Sequence, residues 1–480
     1  MIEFLLNNEP VSLEECDTGI SVQQFLRQQK QLTGTKEGCA AGDCGACTIV
    51  LGELTADESG LQYRTVNSCI TLLANLHGKQ VITVEHLSDG KQLHPVQQAL
   101  VDHHGSQCGF CTPGIIMSMF SLYHSDAEPT RETVNKSLSG NLCRCTGYRP
   151  IIDATTEVCE RRQPDAFTQK QQQTLSQLKD IQAKHTEVFA NGVHLPETRE
   201  AMAGLLAAYP DARLVGGSTD LALESTQQLK SLPELISTQR MKDCKQTAVT
   251  DEQVSVGAAL PLSDIDPVLV AHFPALHELI ERFASLPIRN QATLGGNVAN
   301  ASPIGDMPPV LLALNATIEA DDGHETRLLP ASTFFTGYRQ TQLRKGEWIK
   351  AIHFPRLQAN TQLRAYKVSK RHEDDISAVC AVFAVTLENG MVAAINSGFG
   401  GVAATPVSCD ALAKQLIGQP WQAEATRQLG KRILTSAFNP IDDVRASAAY
   451  RNQVLGNLWQ RFWFETQSAL LVTTRVPHYA

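Results

Sequence analysis

The 480-residue sequence predicts a multidomain α+β protein. Three observations carry that expectation. Strand-like and helix-like stretches follow each other in separate blocks along the chain. Two cysteine sets of different spacing fall in two differently patterned segments. Two glycine-rich turns then lie about 80 residues apart in a third segment. With 42% hydrophobic and 19% charged residues the chain can bury a sizeable core. The net charge of −9 and the lack of a basic run argue against a nucleic-acid partner. No stretch is long and apolar enough to span a membrane.

The first block reads as a hairpin. Ile2, Phe4 and Leu6 alternate, Asn7-Asn8-Glu9-Pro10 turns, and Val11 and Leu13 return. Met1–Leu6 lacks a charged leader and a cleavage site, so it reads as a strand and not as a signal peptide. Ser21 can cap a helix over Val22–Gln29. Cys39, Cys44 and Cys47 follow at C-x4-C-x2-C spacing, interleaved with Gly38, Gly42 and Gly45, and Cys69 comes 21 residues later. This is the plant-type spacing for a 2Fe–2S cluster, and glycines let the backbone approach the bridging sulfides. A disulfide framework is the bland alternative. Thirteen cysteines without a secretion signal point instead to metal and to a reducing cytoplasm. Thr48–Leu51 and Val81–Val84 read as further strands, in an order that looks like the β-grasp ferredoxin fold.

From His86 the pattern turns helical. Pro95 and Gly105 bracket one helix, Thr112 and Pro113 start a second, Thr130 and Gly140 bracket a third, and Pro150 starts a fourth. Cys108 and Cys111 (C-x2-C) and Cys143 and Cys145 (C-x-C) sit at helix ends, joined by a helical hairpin that brings the pairs together. Zinc is the competing occupant for such spacing, and a cluster loop just upstream favours iron. Residues 163–188 read as a glutamine-rich linker, helical in part through Leu175, Leu178 and Ile181.

A new domain begins at Phe189. Thr198 opens a helix, and Ala212–Val215 is a strand running into Gly216-Gly217-Ser218-Thr219-Asp220. Free N–H groups and hydroxyls on such a turn suit a pyrophosphate. The second turn, Arg289–Asn297 followed by Ala301–Asp306, suggests, with the first, an elongated nucleotide cofactor. Neither turn is a GxGxxG or a P-loop. Beyond residue 360, strands at Ala365–Val368, Val379–Leu387 and Met391–Asn396 precede helices at Ala411–Ile417, Glu424–Ser436 and within Arg445–Leu470. The five cysteines outside the two sets, Cys16, Cys159, Cys244, Cys380 and Cys409, have no partner spacing.

With these motifs placed, the chain resembles the iron–sulfur/FAD small subunits of bacterial xanthine dehydrogenases, in the molybdenum hydroxylase family. The resemblance spans essentially the whole chain, and Asn141-Leu142-Cys143-Arg144-Cys145-Thr146-Gly147-Tyr148 is its most specific part. It implies a plant-type 2Fe–2S ferredoxin domain over 1–85, a four-helix 2Fe–2S domain over 86–162 and a linker over 163–188. It further implies an FAD-binding domain of the carbon monoxide dehydrogenase flavoprotein type over 189–358, and a small α+β C-terminal domain over 359–480.

The resemblance implies that Cys39, Cys44, Cys47 and Cys69 hold one cluster and Cys108, Cys111, Cys143 and Cys145 the other. FAD would be held by Leu214, Val215, Gly216, Gly217, Ser218, Thr219, Asp220, Leu221, Phe283, Ala292, Thr293, Gly296, Asn297, Ser302, Asp306 and Lys367. Family members often carry Asn and Glu where this chain has Ser218 and Asp220. Arg371–Ile376 resembles a charged loop beside the flavin, or is a solvated turn.

No stretch after the flavin block is long enough for a molybdopterin domain, so a large partner subunit is expected to hold the molybdenum, in a heterotetramer of two small and two large chains. The expected path runs from a purine at the partner's molybdenum through both clusters to FAD and then NAD. The competing readings are the same role in an aldehyde or other heterocycle hydroxylase, and an iron–sulfur scaffold or sensor without turnover.

Overall fold

The N-terminal hairpin forms as its alternation requires. In the computed structural model, Ile2–Leu6 (β1) pairs antiparallel with Glu9–Leu13 (β2), Phe4 facing Val11. The structure describes residues 1–88, 90–184, 188–190, 192–467 and 474. They divide into two units, Met1–Lys242 with Ala284–Ala292, and Asp243–Phe283 with Thr293–Ala480.

In the first unit β1 also pairs in parallel with Gln80–Ile82, while Thr48–Leu54 (β3) runs between that strand and Leu61–Asn67 (β4). With Gln80–Ile82 as β5, the sheet order is β2-β1-β5-β3-β4. β4 was not foreseen: it is an edge strand, half-exposed over Leu61–Arg64, with too little apolar content to stand out. Ser21 accepts from Gln24 N–H and Gln24 reaches back to Ser21 N–H, a reciprocal cap that starts the helix. That helix is α only over Val22–Gln24 and widens to a π turn over Phe25–Gln29. Phe4, Phe25, Leu26, Ile49, Leu72 and Val81 are buried together beneath the sheet.

Four helices follow: Pro95–Asp102, Thr112–Tyr123, Arg131–Leu138 and Arg149–Glu160. Thr130 caps the third by accepting from Thr133 N–H. Thr112 does not cap the second. The cap position is Cys111, and the Thr112 hydroxyl shares a hydrogen bond with Ser106. The 163–188 segment holds a 19-residue helix, Ala166–Lys184, whose Leu178 and Ile181 pack on Leu5; residues 185–187 lie outside the described ones.

Asp165 fastens the start of that helix. Its Oδ2 accepts from His94 Nε2 at 2.7 Å and from His124 Nε2 at 2.8 Å, and Oδ1 accepts from Thr168 N–H. Burial alone would raise this carboxyl, but the bonds from His124 and His94 hold it well below its usual 3.8. A depressed folded value stabilises above the unfolded value and is lost as pH falls through the folded one. Asp165→Asn should therefore lower stability by about 1–3 kcal/mol at pH 7. The gap in urea midpoint between variant and wild type should narrow as pH falls below about 4. An unchanged gap down to pH 3 would contradict the assignment.

The remainder of the first unit is a small sheet. Val188–Ala190, Val193–Leu195, Leu235–Ser237 and Arg213–Val215 lie side by side in that order. Arg199–Ala208 connects the second and fourth, capped by Thr198 as its sequence suggests.

The second unit contains a five-stranded sheet in the order Thr247–Val249, Gln253–Gly257, Trp348–Pro355, Thr317–Asp321, Thr326–Pro330. A three-stranded antiparallel sheet, Thr361–Val368, Val379–Glu388 and Met391–Gly400, packs on helices Asp410–Leu416, Glu424–Ser436 and Ala448–Glu465. Phe383 stacks on Phe462 at 5.2 Å in that core. Residues 468–470 of the expected final helical stretch lie outside the described ones. Among the described residues no helix is long and apolar enough to cross a membrane.

Candidate iron–sulfur and flavin sites

The first cysteine set converges. Cys47 Sγ lies 3.3 Å from Cys69 Sγ, both buried, where β3 begins and β4 has just ended. Cys39 and Cys44 are half-buried on the loop before β3. Hydrogen bonds from Cys44 and then Cys69 draw the Cys39 thiol far down, while the bond with Cys39 and burial push Cys44 up. A bond from Cys69 lowers Cys47, and bonds to Cys39 and Cys47 raise Cys69. Thiols sharing protons this closely form a preassembled donor set, and bound iron would take all four as thiolates. Ala41 N–H points at Cys39 Sγ from 3.4 Å. Asn67 Nδ2 holds the loop by donating to Gly42 O at 2.6 Å.

The second set is brought together by the helical hairpin. Cys111 meets Cys143, and Cys145 meets Cys108. Burial, then the bond with Cys143, pushes Cys111 up to about 12. Against its own burial, Cys143 is held low by the Thr146 hydroxyl at 3.2 Å and by backbone N–H groups. Cys108 and Cys145 are exposed, Cys143 buried. Tyr148, at φ +68°, braces this loop: its hydroxyl oxygen accepts from Cys143 N–H at 2.9 Å.

The two loops touch through backbone. Leu142 N–H donates to Cys44 O at 3.0 Å, so a residue adjoining a cysteine of the second set bonds directly to the carbonyl of one in the first. Asn141 Nδ2 donates to Gly45 O, and Ser118 Oγ donates to Asn141 Oδ1 at 2.6 Å. A Cβ on Gly114 would lie 2.1 Å from Gly45 O, so the second helix of the four-helix domain can sit this close only as glycine. None of these contacts was foreseen, because nothing local in sequence links Gly45 to Gly114 or Asn141.

Of the residues expected to hold a flavin, Leu214–Leu221 and Ala292 lie in the first unit. Gly217 is wedged against the segment before Ala292, where an added Cβ would meet Gln291 O at 1.7 Å. Ser218 takes φ +63°, and its buried hydroxyl donates to Ile70 O at 2.9 Å and accepts from Asn75 Nδ2 at 3.0 Å. That side chain is therefore turned to the ferredoxin domain, leaving the backbone of Gly216–Thr219 as the part able to meet a phosphate.

Phe283, Thr293, Gly296, Asn297, Ser302, Asp306 and Lys367 lie in the second unit. Thr293 caps helix Leu294–Ala299 by accepting from Gly296 N–H at 3.1 Å. Asn297 Oδ1 is buried without a hydrogen-bond partner, which fits a residue meant for a ligand. Lys367 Nζ lies 2.7 Å from Asp306 Oδ2, both buried, and Ser377 Oγ donates to Asp306 Oδ1 at 2.5 Å. Arg282, next to Phe283, donates to the carbonyls of Lys367 and His372. Ser377 and Arg282 escaped the sequence reading because neither sits in a motif. The Arg371–Ile376 loop closes on itself, with Arg371 N–H donating to Asp375 Oδ2. The five remaining cysteines are all buried.

The residues present fit both cofactor classes: two four-thiol sets, and glycine-rich loops with a close backbone approach and an orphaned amide. Four family models match the chain in order. They are described as a 2Fe-2S iron-sulfur cluster binding domain (residues 4–74) and a 2Fe-2S binding domain (83–156). The FAD binding domain in molybdopterin dehydrogenase (186–357) and the CO dehydrogenase flavoprotein C-terminal domain (364–466) follow.

Among curated relatives, xanthine dehydrogenase of Emericella nidulans is 32% identical over 98% of this chain and 39% of its own length. Aldehyde oxidase 2 of Mus musculus is 27% identical over 99% of this chain and 40% of its own. The chain thus spans about two fifths of these relatives. A solved carbon monoxide dehydrogenase structure from Hydrogenophaga pseudoflava shares the fold at TM-score 0.53 and 24% identity, over 56% of this chain and 94% of that one. The four matched models, in this order, together with these relatives, support the chain as the iron–sulfur and flavin-binding portion of a molybdenum hydroxylase.

Proposed function

We propose that this chain is the electron-transfer subunit of an NAD-dependent xanthine dehydrogenase. It would carry electrons from a molybdopterin site on a large partner subunit to FAD and then NAD, as hypoxanthine becomes xanthine and xanthine becomes urate. The observation that carries the reading is a series of direct bonds between ligand loops. Leu142, beside Cys143, bonds to Cys44 O; Ile70, beside Cys69, bonds to Ser218 on the flavin loop. The plant-type set therefore stands between the four-helix set and the flavin loop, an arrangement suited to passing electrons in one order. The exposed Cys108 and Cys145 leave the four-helix set as the end open to a partner.

In this reading Cys39, Cys44, Cys47 and Cys69 hold one 2Fe–2S cluster, and Cys108, Cys111, Cys143 and Cys145 hold the other. FAD is held by Leu214–Leu221, Phe283, Ala292, Thr293, Gly296, Asn297, Ser302, Asp306 and Lys367. When bound, the clusters supply one-electron steps and the flavin converts them to a two-electron transfer. Gly216–Thr219 would offer backbone N–H groups to the pyrophosphate. The Lys367 ammonium, held by Asp306, which Ser377 holds in turn, would present positive charge to the ring. The proposed domains are 1–85, 86–162, 189–358 and 359–480, with 163–188 as the connection, in a cytoplasmic heterotetramer. The match to aldehyde oxidase 2 supports a second reading, the same role with an aldehyde as substrate.

The experiment is to assay the chain alone and then with a large subunit. Loaded with iron and FAD, the lone chain should reduce an artificial dye with NADH and leave hypoxanthine and xanthine untouched. Adding the partner should restore purine oxidation. Purine oxidation by the lone chain would sink the two-subunit reading, and absent NADH–dye turnover would point to another final acceptor. Aldehyde oxidation in place of purine oxidation would favour the second reading.

A further inference from the structure

The contact between the ferredoxin domain and the flavin loop contains two buried amides that the protein itself leaves half used. Asn75 is 1% exposed and Gln291 6% exposed. Asn75 spends Nδ2 on Ser218 Oγ, and its Oδ1 is buried with no partner. Gln291 places Oε1 2.9 Å from Thr71 Oγ1, and its Nε2 is buried with no partner. Both amides flank the same short loop: Gln291 through its carbonyl, which presses on Gly217, and Asn75 through the next residue, Ser218. Burying an amide end unpaired costs more than its hydrogen bond would return, so two such ends around one loop mark a place built for a polar guest.

We propose that Asn75 and Gln291 are additional cofactor-contact residues, their free amide ends taking hydrogen bonds from and to the polar ribityl-diphosphate chain of FAD. This rests on the flavin reading above and adds to it. The guest must offer a donor to Asn75 Oδ1 and an acceptor to Gln291 Nε2 within one loop's reach. A ribityl hydroxyl and a phosphate oxygen provide that pair, and the loop between the two amides has the open backbone that suits a phosphate. One of the two residues, Asn75, comes from the ferredoxin domain, six residues after Cys69. The same contact that seats the cofactor would then hold it against the segment that follows Cys69.

The test uses the full chain stripped of flavin and titrated with FAD by fluorescence quenching, with iron content and the low-temperature paramagnetic signals of the reduced clusters read in parallel. Asn75→Ala and Gln291→Ala should each weaken FAD binding about tenfold or more, with iron and both signals unchanged. Gln291→Glu keeps the shape, removes the donor and adds negative charge beside a phosphate, so it should bind more weakly still. FAD affinity within twofold of wild type in Gln291→Ala and Gln291→Glu would mean the free ends hold water only, and would overturn the proposal. Should Asn75→Ala also lose iron, Gln291, which lies outside the ferredoxin fold, decides alone. Failure of the wild-type chain to bind FAD would defeat the flavin reading itself, a result distinct from variants that bind normally.

Discussion

Gly217→Ala is expected to abolish FAD binding while both iron–sulfur clusters remain. The added methyl would sit 1.7 Å from Gln291 O, 2.4 Å from its carbon and 2.9 Å from Ala292 N, all backbone atoms. No rotamer relieves such a clash, so one of two loops must move. Overpacking of a buried site costs about 1–3 kcal/mol, and more where backbone must shift. The two loops that would separate are the two glycine-rich turns that the flavin reading relies on. Loss of affinity by a hundredfold or more, measured by FAD titration, is therefore expected. Iron content should stay at the wild-type level, because no cysteine of either set lies on either turn, and the link that gives is the Ser218 bond to Ile70 O. The control is Gly204→Ala, a helical position with open space around it, which should bind FAD normally and gain slightly in helix propensity. FAD binding by Gly217→Ala equal to wild type would remove the close approach from the argument.

The cysteine sets were legible because ligand spacing is a local property. C-x4-C-x2-C and C-x2-C with C-x-C declare themselves within a few residues, whereas the strand pairing that carries the distant Cys69 to Cys47 depends on β4, an edge strand with no clear apolar signal. Helices with a capping hydroxyl, such as those at Thr130 and Thr198, were legible for the same reason. Thr112 misled because it offered the same hydroxyl one residue too late, the cap position having gone to Cys111. The 163–188 stretch looked like a connector because it is rich in glutamine and lysine; Leu178 and Ile181 hold it as a helix once Leu5 is there to cover them. Most of the candidate flavin site was visible as glycine turns, but the division of labour within it was not. Ser218 reads as a phosphate ligand in sequence, and only the fold reveals Ile70 O and Asn75 at its hydroxyl. Arg282, Ser377, Asn75 and Gln291 act across 60 residues or more, so no spacing could have shown them.

Gly114→Ala is the companion prediction, and it concerns two clusters at once although Gly114 ligates neither. Its added methyl would lie 2.1 Å from Gly45 O and 3.3 Å from Asn141 Nδ2. Gly45 stands between Cys44 and Cys47 at φ +70°, with the carbonyl of Gly140 pressed against its own α-carbon, so it cannot yield by simple rotation. Helix Thr112–Tyr123 must back away, and it carries Cys111 at its start. The Leu142 N–H to Cys44 O bond and the Asn141 bonds to Gly45 and Thr48 then lengthen together. Cys143 follows Leu142 directly, so the four-helix set loses its geometry first. Iron per chain should fall toward half of wild type, with the paramagnetic signal of one cluster lost and that of the other shifted. A mutation confined to its own domain would leave the second signal where it was. If Gly114→Ala retains full iron and both signals unshifted, the clusters are held independently, and the bonded series from Cys143 to Ser218 is not what keeps them in register.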